Sequence, residues 1–227
     1  MDQFEAVNGE ASAIEAFAAT GGRFTDEPDA SGTTSAMLVA MSGPEAIAAF
    51  AAAGGSFSDR RDGCGMTAAS YVAGTDTASI EAFAAAGGTF KAGDLAAIYA
   101  TRQGPETIRA FLAAGGSLDC PPDQYGTTPG MAAAQWGAKS IAAFVAGGGR
   151  FTHHRDKYGL SAMDRAAEYD GFFGAEAAAR GQGAVAALEA AYRAQALVDL
   201  RAVFLWRAER ARVRPPLKLG RAVAIPL

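Results

Sequence analysis

One four-residue word recurs five times in this chain: IEAF at 14–17, IAAF at 47–50, IEAF at 80–83, IRAF at 108–111 and IAAF at 141–144. Each copy is followed by a glycine pair and, two residues on, by an apolar residue: Phe24, Phe57, Phe90, Leu118 and Phe151. The steps between successive words are 33, 33, 28 and 33 residues. Two linked signals at a fixed offset, five times over, mean a repeat. A unit of about 33 residues cannot bury its own Ile/Phe face, so neighbours must stack to make that face continuous.

Within each copy the pattern predicts two short helices. In 123–155, Asp123 to Gly126 reads as a turn, and Thr128-Pro129 as a helix start in which the threonine caps and the proline suits the first turn. This helix runs to about Trp136 and stops at Gly137. A second begins near Lys139, with Ile141 and Phe144 on one face, and ends at the glycines 147–149. Pro44-Glu45 and Pro105-Glu106 start the corresponding helices elsewhere with a proline and then an acid, favoured at the positive end of the helix dipole. Ile47, Phe50, Ile80, Phe83, Ile108, Phe111, Ile141 and Phe144 are therefore core.

A period of 33 built from a turn and two helices resembles the ankyrin repeat. The resemblance covers residues 1–171. Its D-x-x-G-x-T element stands as Asp29-Gly32-Thr34, Asp62-Gly65-Thr67, Asp123-Gly126-Thr128 and Asp156-Gly159-Ser161, while T-P-L-H is degraded to TSAM, TAAS, TPGM and SAMD. The resemblance implies an all-α solenoid of helix-turn-helix units joined by short hairpin loops, or fingers. It also implies that the missing histidines remove a hydrogen-bond bridge between loops, leaving a less rigid stack. The copy ending at Leu118 lacks about five residues of its turn, which predicts a notch in the row of fingers. The first copy is truncated and is expected to act as a cap.

Beyond the repeats the pattern changes. Residues 172–183 read as a glycine-rich connection, and 184 to about 212 as one long helix that caps the stack, ended by Pro215-Pro216. The stretch 184–227 holds eight Lys/Arg against three Asp/Glu, a net of +5, and 1–183 holds 12 against 21, a net of −9. Leu197, Leu200, Phe204 and Trp206 offer a self-association face on this helix. The basic stretch from Arg207 to Arg221 could instead meet an anionic surface or the protein's own acidic body. Eight basic residues diluted over 44 are a weak nucleic-acid signal, and no nucleic acid is expected as partner. The opening residues show no basic segment followed by an apolar run, and no apolar stretch reaches the roughly 18–20 residues of a membrane span, so the expected location is the cytosol. The Ala/Gly/Arg-rich composition suggests a bacterial source.

Candidate chemistry is thin. His154-Arg155-Asp156 spells a kinase catalytic tripeptide, but Ser161 stands where that pattern needs asparagine, and the tripeptide straddles a repeat junction. Gly181-Gln182-Gly183 has no preceding strand, as a dinucleotide loop requires. His153, His154 and Cys120 are an imaginable metal set, but adjacent histidines point in different directions, and two distant cysteines have neither zinc nor disulfide-framework spacing. No catalytic residue, metal or cofactor is expected, and the chain is read as non-catalytic.

The expected function is that of an adaptor or scaffold binding a folded protein. In the proteins it resembles, the concave groove is lined by finger residues and by the ends of the first helices. Here that implies Tyr125, Arg155, Lys157 and Tyr158 on fingers, and Arg102, Gln103, Gln135, Trp136 and Tyr169 at helix ends. The N-terminal copies offer mainly small residues at these positions, whereas Trp, Tyr and Arg dominate interface hot spots, so the partner is placed on 102–169. Regulatory or inhibitory binding to a partner enzyme is the alternative, as is a bacterial effector acting on a host protein.

Overall fold

The glycine pair has two separate jobs in the computed structural model. The first glycine of each pair takes a left-handed backbone, φ being 82° at Gly21 and 85° at Gly115, which an L side chain resists. It closes a Schellman turn: Gly21 N–H bonds to Ala18 O at 2.9 Å and Gly22 N–H to Phe17 O at 3.0 Å. The second glycine is needed for space. A Cβ at Gly22, Gly55, Gly88, Gly116 or Gly149 would lie 2.4–2.5 Å from the ring of Phe17, Phe50, Phe83, Phe111 or Phe144. The word and the pair are thus one device, a phenylalanine folded back onto the glycine that ends its own helix.

The structure describes residues 2–8, 10–172 and 175–213, and among these the backbone alone at 168–172, 175–182, 203 and 206–213. It divides into two compact units, Met1–Ala191 and Tyr192–Leu227. In the first unit, helices alternate between two ranks. The inner rank is α1 (Gln3–Val7), α3 (Ser35–Ala40), α5 (Ala68–Ala73), α7 (Ala96–Gln103), α9 (Pro129–Gln135) and α11 (Ala162–Phe172). The outer rank is α2 (Ala11–Ala19), α4 (Pro44–Ala52), α6 (Thr77–Ala85), α8 (Pro105–Ala113) and α10 (Ala138–Ala146). Each helix packs on the next of its own rank, and from α3 to α10 on its partner in the same copy. Among the described residues every regular element is a helix.

The outer rank carries an aromatic ladder. Rings of Phe17, Phe24, Phe50, Phe57, Phe83, Phe90 and Phe111 follow one another at centroid distances of 4.7–5.3 Å. Leu118 occupies the next rung, and Phe144–Phe151 resume at 5.0 Å. A cleft of about 430 Å³ opens beside Leu118, Phe144 and Gly149. Cys120 lines it, and burial pushes its thiol up to about 12. Ile47, Ile80, Ile108 and Ile141 are buried, as the repeat predicts, and so is Ile14 of the first copy.

Small side chains let the inner rank pack closely: Ala36, Ala40, Ala69, Ala73, Ala97, Ala100, Ala133 and Ala134 are buried. Thr34, Thr67 and Thr128 cap α3, α5 and α9 through their hydroxyls. Leu95, at the start of α7, has no capping side chain, and the preceding Asp94 accepts its N–H at 2.9 Å instead.

The bridge expected to be lost with the family's histidine is rebuilt from other side chains. Asp94, 6% exposed, accepts from the Thr67 hydroxyl at 2.6 Å and the Ser70 hydroxyl at 2.8 Å, tying the fourth copy's shortened turn to the third copy's helix start. Ser70 stands where T-P-L-H would place its histidine. At this junction the short polar side chains leave room for a buried carboxylate that does the bridging.

The segment 172–183, read as a connection, is helical from Ala175, where α12 (Ala175–Val213) begins, so Gly181-Gln182-Gly183 lies within a helix. Ala184 and Leu188 are buried in the first unit. In the second unit Leu197, Val198, Leu200, Phe204 and Leu205 are exposed. The Trp206 side chain and the tail 214–227 lie outside the described residues.

Candidate protein-binding surface

Four fingers share one construction. Asp29, Asp62, Asp123 and Asp156 each use Oδ1 to accept the N–H groups two and four residues on, at 2.8–3.0 Å. A glycine three residues after each aspartate carries the positive φ of the turn. Adjoining fingers are joined through the main chain: Gly63 N–H donates to Ser31 O at 3.3 Å, and Lys157 N–H to Tyr125 O at 2.9 Å. The fourth copy has only the stub Lys91–Asp94, five residues shorter than its neighbours, so the row of fingers is interrupted.

In three of these aspartates, Asp62, Asp123 and Asp156, the second carboxylate oxygen is bonded from an inner helix. Tyr71 donates its hydroxyl to Asp62 Oδ2 at 2.5 Å, Arg102 its Nη2 to Asp123 Oδ2 at 2.9 Å, and Arg165 its Nη2 to Asp156 Oδ2. Burial works against the charge on Asp62, but the Tyr71 hydroxyl and the Met66 and Cys64 N–H groups outweigh it and hold the carboxyl below its ordinary range. At Asp156 burial is likewise outweighed, by the Leu160 N–H and the Arg165 guanidinium. Burial, and then the bond to Asp62, push the Tyr71 hydroxyl well above the normal tyrosine value.

The nine positions implied by the resemblance fall into separate groups. Tyr125, 48% exposed, and Tyr158, 68% exposed, stand at equivalent places on adjoining fingers, where the earlier fingers carry Ser31 and Cys64. Lys157 is exposed beside them, and Arg155 is held by Gly159 O at 2.5 Å and by Asp164 at 3.0 Å. Arg102 lies over the Tyr99 ring at 5.2 Å and is committed to Asp123. Gln103 donates to Gly74 O at 2.6 Å. Gln135, half-buried, and Trp136, 47% exposed, end α9, and Trp136 walls a cleft of about 540 Å³ with Pro105, Glu106, Lys139 and Gly183. Seven helical residues at about 1.5 Å each put Trp136 roughly 10 Å from the finger end of α9. Tyr169 lies on α11, its side chain outside the described residues.

Tyr71, Tyr99 and Arg165 were missed as a set. They share one place, four residues after each helix start at Thr67, Leu95 and Ser161, and aligning the copies on those starts would have found them. Among the described residues no group of three or more His, Cys, Asp or Glu side chains could hold a metal ion, and no helix is long and apolar enough to cross a membrane.

No family model and no curated protein sequence matches the chain. Solved structures do. A chain from the complex of the Bd0816 predatory endopeptidase of Bdellovibrio bacteriovorus with immunity protein Bd3460 superposes with a TM-score of 0.58 at 20% identity, over 82% of this chain and 97% of that one. The ankyrin repeat protein EF0377 superposes with a TM-score of 0.55 at 17% identity, over 73% of this chain and 90% of that one. Such identities speak to architecture alone, and with the two ranks of helices and the aspartate-built fingers they show that this chain has the ankyrin-repeat fold.

Proposed function

We propose that the chain is a non-catalytic protein-binding module that recognises a folded partner through its finger-bearing, concave face. The observation that carries this reading is the pair Tyr125 and Tyr158. Two large aromatic side chains stand exposed on fingers joined by a main-chain hydrogen bond, and neither hydroxyl is bonded among the described residues. Exposed aromatics grouped on one ridge are the usual anchors of an interface. Arg155 and Lys157 beside them supply charge, and Trp136 and Gln135 extend the surface along α9. The test is capture of a partner by wild type and by a Tyr125→Ala/Tyr158→Ala variant, with thermal unfolding of both. The reading expects binding to fall at least about thirtyfold with stability unchanged. Equal binding by both proteins would overturn it.

A second reading is inhibition of a partner enzyme. Its support is the endopeptidase–immunity protein complex, one chain of which is covered almost end to end by this fold. It expects a captured enzyme to lose activity at one equivalent of this protein, while a scaffold leaves turnover unchanged. The exposed Leu197, Leu200 and Phe204 support self-association as a separate property, read by sedimentation of wild type against Phe204→Asp.

A further inference from the structure

The interrupted finger row leaves groups that intact fingers would use. Between adjoining fingers, the residue after the second finger's aspartate donates its N–H to the carbonyl two residues after the first finger's aspartate. At the gap, the matching groups are Cys64 O on one side and Gln124 N–H on the other. Both residues are exposed, and neither group has a partner among the described residues. The gap is also open space. A Cβ on Gly32 or Gly126 would come within 3.2 Å or 3.0 Å of the next finger's backbone, whereas one on Gly65, beside the gap, would meet nothing within 4 Å.

In the copy that lacks its finger, Tyr99 holds the helix position from which Tyr71 donates to Asp62. Its ring is covered by Arg102, but its hydroxyl has no acceptor among the described residues, because the aspartate it would serve is missing with the finger. The neighbouring carboxylates are committed: Asp62 to Tyr71, Asp94 to Thr67 and Ser70, Asp123 to Arg102. Arg61 is half exposed at the edge, bonded to Gly65 O at 2.8 Å and 3.8 Å from Asp94.

We infer that this gap is a socket for an acidic turn of the partner protein, an Asx-type turn that takes the place of the missing finger. The turn's carboxylate accepts from the Tyr99 hydroxyl beside Arg61, one of its N–H groups donates to Cys64 O, and one of its carbonyls accepts from Gln124 N–H. Supplying a missing element through main-chain hydrogen bonds is the logic of strand addition, with a side-chain acid fixing the register. The inference rests on the proposed binding face and names the element of the partner that enters it.

The probe is a peptide with the sequence of this chain's own finger, Pro122 to Thr128, titrated to millimolar concentration into the isotope-labelled full chain. The expected result is amide shifts centred on Gly65, Tyr99 and Gln124. Tyr99→Phe, and separately a peptide with alanine for its aspartate, should each weaken binding about tenfold with unfolding temperature unchanged. Absent shifts, or shifts indifferent to both changes, overturn the socket. If the peptide is ignored while Tyr125→Ala/Tyr158→Ala still abolishes capture of a protein, the socket falls and the binding face stands. If both fail, both readings fall together.

Discussion

The outer rank of helices and the row of fingers are products of the same repeat, yet they diverge in opposite ways. Along the outer rank every copy keeps its isoleucine, its phenylalanine and its glycine pair, and all these isoleucines and phenylalanines are buried except Phe17 of the first copy, which is half-buried. Along the fingers the aspartate turn is kept, but the tip passes from Ser31 and Cys64 through a deletion to Tyr125 and Tyr158. Uniformity marks where neighbours must fit one another, because a stack tolerates only one shape of interface. Variation marks where the protein meets something outside itself.

That contrast can be broken by mutation. The largest effect is expected in the ladder: Phe83→Ala should cost about 3–5 kcal/mol in denaturant unfolding, since the ring is fully buried between Phe57 and Phe90. Tyr158→Ala should stay within about 0.5 kcal/mol. Comparable losses at the two sites would erase the division between stacking and recognition.

Next is Asp156, the turn-forming residue of the last finger. Asp156→Ala should destabilise by about 2–3 kcal/mol, because Arg165, Tyr158 N–H and Leu160 N–H lose their acceptor. The same residue gives a pH signature. The folded-state carboxyls of Asp62 and Asp156 lie below their unfolded values. Their stabilisation is therefore complete above about pH 4 and is lost as the pH falls through the folded values. Asp156→Asn should flatten the acid limb of the stability curve, and an unchanged limb would show that the carboxylate's charge contributes nothing.

Gly88→Ala follows, at about 1–3 kcal/mol, because the added methyl meets the Phe83 ring at 2.5 Å. The ladder can also be sharpened. Leu118→Phe restores the missing rung beside the 430 Å³ cleft and should add about 1 kcal/mol. A loss there would mean that the fourth interface has already adapted to leucine. The smallest perturbation is chemical: at pH 8 a thiol reagent should modify the exposed Cys64 quickly and Cys120 slowly, since burial keeps the latter protonated.

The sequence alone determined the architecture. Five copies of Ile-x-Ala-Phe before a glycine pair leave no other way to bury the same face repeatedly, and the helix limits follow from Thr-Pro, Pro-Glu and Gly-Gly. The five-residue deletion in the fourth copy was legible by counting. Tyr125, Trp136 and Tyr158 were legible as large residues at places a stack leaves open. Other features depended on distances between copies, which no pattern within one copy contains. That Arg102 would reach Asp123, 21 residues on, and that Asp94 would bridge Thr67 and Ser70, followed only once α5, α7 and α9 stood side by side. Periodicity specifies what repeats, through burial that every copy must satisfy alike. The groups left unsatisfied at one irregular copy, Cys64 O, Gln124 N–H and the Tyr99 hydroxyl, are set by packing in three dimensions, because whether a polar group has a partner depends on which neighbour the fold brings to it.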